Sequence, residues 1–489
     1  MNRFDARIFF GIVTLGLLLG FGGVTTAQDT PPTRYLAFQM FTGAPDSSVP
    51  IGGSGKNPLS PPPTKDEMSR FVARLIEQIG TTGDAQTKLA FIIGPLALDH
   101  TDAQLQQMIQ DAFAIALEQN IAVGFHIDDS MFWARRSDLW QDPANIEWLD
   151  WEGTLNTGRR LDWGAEPTQI SPQICLNSPA IQTAVRHLAN DVIGSAISEG
   201  IATLETQGKA ELFAGVIAGW ETQIGRDFAT NQYLGYCALT NRGFTKEHPS
   251  QNPDSELEQV VQEFIDLWAS RLAEAGVNPD KIYSHTAVTS MQTYEQMDER
   301  SALSYAQVNQ FAPPSVAFGA HYHPGFSTYP QPGLMQQLYA ELEKHGSPAW
   351  ASSEGTNLMP FSLTSGGSME TYLAQMFNHG AALVNIFGWG VGGEVSANPF
   401  RGAAEAPDSL AAYRKFLGGE ALVEGDYVFP DLPDRIHIIQ TQLPLWIEQN
   451  PSRRSEVEPL VLQLQQSIED NNFEQASKTA DEILAIIAP

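Results

Sequence analysis

The chain has 489 residues, of which 42% are hydrophobic and 17% charged, a balance that predicts a globular protein with a large core and excludes extended disorder. The net charge of -29 and the lack of a basic run exclude nucleic acid as an expected partner, because phosphate would be repelled. The length exceeds one average domain but fits a single α/β barrel with insertions.

The N-terminal segment, residues 1–27, has the features of a secretory signal peptide. Two arginines precede an apolar stretch over residues 8–23, and Ala27 ends a run of small residues of the kind that a signal peptidase reads. A membrane anchor is the alternative, although the stretch is short and glycine-rich for a spanning helix. We therefore predict a secreted or periplasmic protein with no membrane span after cleavage. In an oxidising compartment Cys175 and Cys237 could pair, and two free buried thiols are the alternative.

Strand-like and helix-like segments then alternate along the chain. Eight apolar runs have the length and composition of buried strands, at Tyr35–Phe41, Lys88–Gly94, Ile121–Asp128, Leu212–Ala218, Lys281–His285, Ser315–Tyr322, Pro348–Ala351 and Ala381–Trp389. Helical patterns lie at Lys65–Ile79, Thr101–Gln119, Pro179–Leu204, Ser255–Ala275, Leu334–His345, Met369–Asn378 and Asp408–Leu417. This alternation predicts an α/β fold, a (β/α)₈ TIM barrel over residues 28–420.

The C-terminal residues 421–489 are predicted to form a helical appendage. Ile436–Gln449 and Glu456–Ile487 have helical patterns, and the second is broken near Asn471 and Asn472. Apolar residues in its two arms can face each other, which predicts a helical hairpin without a part in the chemistry.

Two glutamates follow predicted strands directly. Glu221 comes after the strand that ends at Ala218, and Glu354 comes after the strand that ends at Ala351. In a (β/α)₈ barrel the C-terminal strand ends carry the chemistry, and barrel closure brings distant parts of the chain together there. Cleavage of a glycosidic bond needs one carboxylic acid to protonate the leaving oxygen and one carboxylate to attack or to activate water. The pair predicts a glycosidase.

Other side chains near the predicted strand ends suit a sugar substrate. Tryptophan faces stack on the apolar faces of sugar rings, and polar side chains bond the hydroxyl groups. The candidates are Trp133, Trp220 and Trp389 for stacking, and His126, Asp128, Asp129, His321, Tyr322 and Asn385 for hydrogen bonding. We expect His321 or Tyr322 to hydrogen-bond Glu354 and hold it ionised. The expected partner is an oligo- or polysaccharide.

The pattern resembles the clan A glycoside hydrolases over roughly residues 34–417. The resemblance implies a retaining mechanism on a β-linked saccharide, with Glu221 as the acid/base after strand four and Glu354 as the nucleophile after strand seven. It also implies that the site needs no cofactor and no metal. In the same resemblance, Tyr322 and Trp389 match aromatic residues that line the site after strands six and eight.

The resemblance has one departure and one further detail. Clan A enzymes usually carry an asparagine immediately before the acid/base, where it binds the sugar 2-hydroxyl group, and here that position is Trp220. Residues 175–179 are faintly similar to a segment that precedes a barrel helix in the β-galactosidase members.

Two other functions fit parts of the sequence. A metal-dependent hydrolase would use polar residues at predicted strand ends, namely His126, Asp128, His285, His321 and His323. Barrels of the amidohydrolase kind, however, usually place His-x-His on the first strand, where this chain has Phe38, Gln39 and Met40. A catalytically silent barrel that binds carbohydrate is the other alternative, and Trp220 in place of the usual asparagine favours it.

Overall fold

The computed structural model describes residues 32–43, 58–159, 169–287, 312–329, 332–359, 364–365, 367–390, 399–424, 432–469 and 472–487. The predicted signal peptide, residues 1–27, lies outside these ranges. From Thr33 onward the described residues belong to one compact unit. No helix within the described ranges combines the length and the apolar character that a membrane crossing requires.

A parallel sheet of nine strands forms the barrel. Its strands are β1 Arg34–Phe41, β2 Thr87–Leu96, β3 Ala122–Ile127, β4 Phe213–Ala218, β5 Ile282–Ser284, β6 Thr286–Ala287, β7 Gly325–Thr328, β8 Trp350–Gly355 and β11 Ala381–Ile386. The strands β9 Leu358–Met359 and β10 Thr364–Ser365 form a separate antiparallel pair.

The barrel closes at a segment that is split between two strands. The sheet order is β5-β4-β3-β2-β1-β11-β8-β7-β6, so that β5 and β6 stand at its two ends. Only His285 separates β5 from β6 in the chain. Because β5 pairs with β4 and β6 pairs with β7, this one segment joins both ends of the sheet. The predicted (β/α)₈ barrel is therefore confirmed.

Helices occupy the connections between the strands, as predicted. The longer ones are Lys65–Ile79, Asp102–Gln119, Pro179–Arg186, Ser195–Thr206, Pro253–Glu274, Pro332–Lys344, Met369–Phe377 and Pro407–Leu417, and shorter ones are Ser137–Trp140, Tyr236–Asn241 and Pro399–Ala404. The helix Asp102–Gln119 begins where it does because the Thr101 hydroxyl accepts the N–H of Gln104, whose side chain accepts the Thr101 N–H in return.

The apolar residues form two layers around the sheet. The larger core lies between the strands and the helices. A smaller core fills the barrel interior with alternate strand residues, because successive side chains of a strand point to opposite faces. Its members are Tyr35, Ala37, Ala90, Ile92, Ala122, Ala214, Ile217, Tyr283, Ala351 and Leu383.

The predicted sixth strand, Ser315–Tyr322, is wrong. Pro314–Ala317 is a 3-10 turn, and the strand is Gly325–Thr328. The turn begins at a proline, which lacks the N–H that an interior strand must donate to its neighbour. The apolar run therefore packs as a turn, and the strand starts only after Pro324.

A disulfide joins the loop before the helix Pro179–Arg186 to the short helix Tyr236–Asn241. Cys175 and Cys237 are bonded, which settles the two alternatives that the sequence left open. Beside them lies the fully buried Glu147, whose Oε1 accepts the N–H groups of Cys237 and Ala238. Burial raises the pKa of Glu147 to about 7, although these N–H groups act in the opposite direction.

The C-terminal helices are present and have their own core. They span Leu432–Gln449, Arg454–Glu469 and Phe473–Ile487. Their buried residues are Leu432, Ile439, Leu443, Val457, Leu464, Ala476, Ala480, Ile483 and Ile487. The last two helices pack against each other as the predicted hairpin, and the first helix packs beside them.

Candidate active site

The barrel interior changes from apolar to polar towards the C-terminal strand ends. Buried polar side chains lie there, and three of them, Gln39, His285 and Asn385, are two residues beyond apolar interior residues of the same strands, as the side-chain period of two requires. We call this set the polar layer, and it consists of Gln39, His126, His285, Ser327 and Asn385. The missing side chain of Gly94 leaves room for it, because a Cβ atom there would lie 2.7 Å from His126 Cβ.

One side of the polar layer is anchored on the backbone. Asn385 Nδ2 donates to the carbonyl oxygen of Ser353 and to Gln39 Oε1, both at 2.8 Å. The same Gln39 oxygen lies 2.9 Å from His126 Nδ1. These contacts satisfy buried polar atoms that would otherwise destabilise the fold.

The other side of the polar layer ends at Glu221. His126 Nε2 lies 3.0 Å from His285 Nδ1, and His285 Nε2 lies 2.8 Å from Ser327 Oγ. Ser327 Oγ in turn forms a short hydrogen bond with Glu221 Oε1. Burial lowers the pKa of His126 to about 3 and the pKa of His285 well below its usual value, so both rings are neutral at neutral pH.

Glu221 sits on a strained turn just beyond β4. Its φ of 54° lies in the left-handed region, which costs a residue with a side chain about 1–3 kcal/mol. The buried Asp129 holds the residues on both sides of it: Oδ1 accepts the N–H of Trp220 at 3.2 Å, and Oδ2 accepts the hydroxyl of Thr222 at 2.5 Å. Asp129 is therefore a positioning residue for this glutamate.

Glu354 is turned into the barrel by a β-bulge. Between β7 and β8 the register runs from Phe326 opposite Ser352 to Ser327 opposite Glu354, so Ser353 is an extra residue. Paired residues of parallel strands share a face, and Ser327 faces the interior, so Glu354 does as well. The Tyr329 hydroxyl donates to Glu354 Oε1 at 2.5 Å.

The two glutamates meet at the end of β7. Ser327 bonds Glu221 and stands opposite Glu354 in the sheet. The pKa of Tyr329 is raised far above its usual value, first by burial, then by the negative charge of Glu354 and also by that of Glu221. One tyrosine thus senses both carboxylates, and both side chains are nearly buried, 7% and 5% exposed. Two carboxyl groups near one strand end are the residue types that paired-carboxylate chemistry uses.

Trp220 covers the polar layer from above. Its indole ring stacks on the imidazole of His126 with centroids 4.2 Å apart and planes 6° apart, and Phe41 lies 6.2 Å away. The side chain is only half-buried, in contrast to His126 beneath it. A half-buried indole on the residue directly before Glu221 suits the predicted stacking on a sugar ring.

Two other tryptophans do not have the predicted position. Trp133 is fully buried and donates from Nε1 to the carbonyl oxygen of Pro172. Trp389 is 3% exposed and packs edge-on against Phe38 in the core between the barrel and the helices. Both are held in apolar packing, which the composition of the sequence could not distinguish from a sugar subsite.

Three polar candidates are also corrected. Tyr322 donates to the carbonyl oxygen of Val316, and His321 pairs with Asp266 of the helix Pro253–Glu274, so neither one makes the predicted bond to Glu354. The misplaced sixth strand caused this error. Asp128 is fully buried, and its Oδ1 accepts N–H groups of the loop that follows β3, which gives it a structural task.

The histidines that the metal-dependent alternative needs do not converge. His126 and His285 are neighbours in the polar layer, whereas His321 and His323 each pair with an aspartate elsewhere. Among the described residues, Glu147, Cys175 and Cys237 have the spacing of metal ligands at another place, but the two cysteines are joined in a disulfide and offer no thiolate.

Three residues of the site were not predicted, namely Gln39, Ser327 and Tyr329, and His285 was predicted only as a metal ligand. A period-two reading along each strand would have placed Gln39 and His285 inside the barrel. Ser327 and Tyr329 were hidden by the wrong sixth strand. Asp129 was predicted to bond sugar hydroxyls, whereas the structure shows it bonded to Trp220 and Thr222.

No protein-family model and no curated protein matches the chain. Among solved structures, it is similar to the α-L-fucosidase isoenzyme 2 from Paenibacillus thiaminolyticus, with 11% identity, 79% of this chain and 49% of that chain covered, and a TM-score of 0.37. It is also similar to an α-amylase from Malbranchea cinnamomea, with 10% identity, 79% and 76% covered, and a TM-score of 0.31. A third similar structure is the α-amylase from Geobacillus thermoleovorans complexed with acarbose, with 10% identity, 79% of this chain and 78% of that chain covered, and a TM-score of 0.32.

The chain thus spans about half the length of the fucosidase, 49%. The assignment of the fold rests on the sheet order and not on these likenesses. Within that fold the described geometry brings two carboxylates to one strand end at the mouth of the barrel, one bonded to the polar layer and the other to a tyrosine.

Proposed function

We propose that the protein is a glycoside hydrolase that cleaves a β-linked saccharide by a retaining double displacement. The observation that carries the proposal is the meeting of Glu221 and Glu354 at the end of β7, where Ser327 and Tyr329 contact them. Retaining and inverting glycosidases both work with such a pair of carboxyl groups. The resemblance of the sequence to clan A enzymes supports the assignment of the two roles.

In the first step, Glu354 attacks the anomeric carbon while Glu221 gives its proton to the leaving oxygen. In the second step, Glu221 takes a proton from water, which attacks the same carbon and releases Glu354. The hydroxyl of Tyr329 stabilises Glu354 in its ionised form and orients it. The positive φ of Glu221 and the bonds of Asp129 around it hold the acid in a fixed direction.

The substrate is proposed to be an oligo- or polysaccharide that stacks on Trp220. This residue replaces the asparagine that clan A enzymes usually have, so the contact to the 2-hydroxyl group must come from another side chain.

We also propose that the protein is exported through its N-terminal segment to the periplasm or the medium. The disulfide between Cys175 and Cys237 supports export, because disulfides persist in oxidising compartments.

The test is hydrolysis of a panel of β-linked aryl glycosides and oligosaccharides, β-galactosides first, with α-linked counterparts as controls. We expect β-linked turnover that Glu354→Gln and Glu221→Gln each reduce by at least about a thousandfold, since each removes a reacting group. The matched control is Glu341→Gln, a buried glutamate on the helix Pro332–Lys344, and it should keep full turnover.

The anomeric configuration of the first product, measured by NMR, decides between retention and inversion. A β-configured first product supports the double displacement, and an α-configured one overturns it. Saccharide binding without turnover, unaffected by Glu354→Gln, would instead identify a catalytically silent carbohydrate-binding barrel.

A further inference from the structure

The hydrogen bonds of the polar layer have a direction that starts at the backbone. The carbonyl oxygen of Ser353 can only accept, so the Asn385 atom 2.8 Å from it must be the amide nitrogen. This nitrogen also lies 2.8 Å from Gln39, which must therefore present its oxygen. Turning both amides around would place the Asn385 oxygen 2.8 Å from the Ser353 oxygen, a repulsive contact between two acceptors.

The direction continues through the two histidines. Because Gln39 presents an oxygen to His126 Nδ1, that nitrogen carries a hydrogen. A neutral imidazole has one hydrogen, so His126 Nε2 is an acceptor. The hydrogen between the two rings then belongs to His285 Nδ1, 3.0 Å away. His285 Nε2 is consequently an acceptor as well, and it faces Ser327 Oγ.

This chain of hydrogen bonds ends at the hydroxyl of Ser327, which has only one hydrogen to donate. His285 Nε2 needs this hydrogen from Ser327, so the Ser327 oxygen is left as an acceptor towards Glu221 Oε1. An ionised Glu221 would present an acceptor to an acceptor. A protonated Glu221 completes the chain, with every hydrogen pointing from the glutamate towards Gln39.

We propose that Gln39, His126, His285 and Ser327 form a one-directional hydrogen-bond chain that keeps the proton on Glu221 in the free protein. It follows that Ser327 and His285 are positioning residues, which act on the reaction through Glu221. The use of this proton as the catalytic acid rests on the proposed function, whereas the position of the proton rests on the geometry alone.

The groups that face the hydrogen-bond chain do not all favour this arrangement. Towards Glu221 they include the carboxylate of Glu354 and the hydroxyl of Tyr329, and a neighbouring negative charge disfavours a second one. Towards the imidazoles they are the indole of Trp220, which stacks on His126, and the carbonyl oxygen of Gly219, which lies 3.1 Å from His126 Nε2 and opposes the arrangement because it can only accept. Ionising Glu221 while Ser327 donates to it would require a hydrogen on His285 Nε2, and thus either a charged ring in a fully buried site or an acceptor at His126 Nδ1, 2.9 Å from the oxygen of Gln39.

The first test locates the hydrogens without any substrate. Histidine labelled with ¹⁵N reports by NMR which ring nitrogen carries the hydrogen, and His285→Gln identifies one of the resonances. We expect both His126 and His285 to be neutral at neutral pH with the hydrogen on Nδ1. A hydrogen on Nε2 of either ring, or a charged ring, overturns the proposal.

The second test observes the proton on Glu221 directly. The infrared difference spectrum between the wild-type protein and Glu221→Gln should contain the carbonyl band of a protonated carboxylic acid at neutral pH. Ser327→Ala should shift or remove this band, because it deletes the partner of that proton. The matched control is Ser352→Ala, a fully buried serine that bonds Thr328 and Tyr372 instead, and it should leave both the band and the histidine resonances unchanged. A carboxylate in the wild-type protein overturns the proposal.

With an active substrate, Ser327→Ala should move the basic limb of kcat/KM to lower pH by about one unit, the tenfold change that an ordinary hydrogen bond corresponds to. A basic limb that stays in place contradicts the proposal even if the band is present. If the spectra are as expected but no glycoside is cleaved, the proposed function fails and the hydrogen-bond chain stands.

Discussion

Replacing Tyr329 by phenylalanine isolates one hydrogen bond at the candidate nucleophile. Its hydroxyl lies 2.5 Å from Glu354 Oε1 in a buried position, and the substitution removes only that oxygen. A donor stabilises the ionised form of a carboxyl group, so the wild-type Glu354 titrates at a lower pH than it would without Tyr329. Since the nucleophile must be ionised to attack, losing the donor moves the acidic limb of activity to higher pH.

The magnitude follows from the kind of bond. A hydrogen bond to a charged group contributes about 1.5–3 kcal/mol. At 1.36 kcal/mol per unit this corresponds to a shift of about one to two pH units for the acidic limb of Tyr329→Phe. The same free energy, lost in the transition state, lowers kcat about tenfold to a hundredfold. The assay is kcat/KM and kcat as functions of pH on the best β-linked substrate.

The control is Tyr372→Phe, which removes the same atom from another buried tyrosine. The Tyr372 hydroxyl bonds Thr328 and Ser352, so this variant should lose stability without moving the acidic limb. An unshifted acidic limb together with wild-type kcat in Tyr329→Phe would refute the reasoning, because the hydroxyl would then not act on the working carboxylate.

Three further outcomes are expected. Asp129→Asn cannot accept both hydrogen bonds around Glu221, so kcat/KM should fall at least about tenfold and an unchanged value would contradict its positioning role. Replacing Cys175 and Cys237 by serine opens a link across 62 residues and should lower the free energy of unfolding by about 4 kcal/mol, measured with denaturant. The pKa of Glu147, raised from 4.5 to about 7 by burial, means that the folded chain binds this proton more tightly than the unfolded chain. The contribution of Glu147 to the free energy of unfolding is therefore complete below about pH 4.5 and is lost as the pH rises to about 7. Glu147→Gln resembles the protonated form, so its free energy of unfolding should rise by about 3 kcal/mol relative to the wild type across that pH range. Parallel unfolding curves of both proteins at all pH values would contradict this.

The sequence was sufficient for those parts of the protein that depend on local patterns. Apolar runs of strand length, separated by helical periods, predicted the barrel, and Thr101 predicted a helix start that the capping contacts confirm. The position of Glu221 and Glu354 directly after two such runs predicted that both stand at strand ends. Each of these signals is complete within a few neighbouring residues.

Only the tertiary structure decided which side chains point into the barrel and which residues they contact. The bulge at Ser353, which turns Glu354 inward, depends on the register between two strands and leaves no mark in either strand by itself. Pro314 turned an apolar run into a 3-10 turn, and the real strand after it brought Ser327 and Tyr329 to the glutamates.

The same holds for the fate of polar and aromatic residues. Trp133 and Trp220 are equally good sugar platforms by composition, yet packing buried the first and left the second half-buried above His126. His285 is one of ten histidines in the sequence, and only barrel closure places it between His126 and Ser327. Residue types and the periodicity of apolar residues determined the fold and the kinds of reacting side chain that it carries. The direction of hydrogen bonds and the burial of side chains arose from contacts between distant strands.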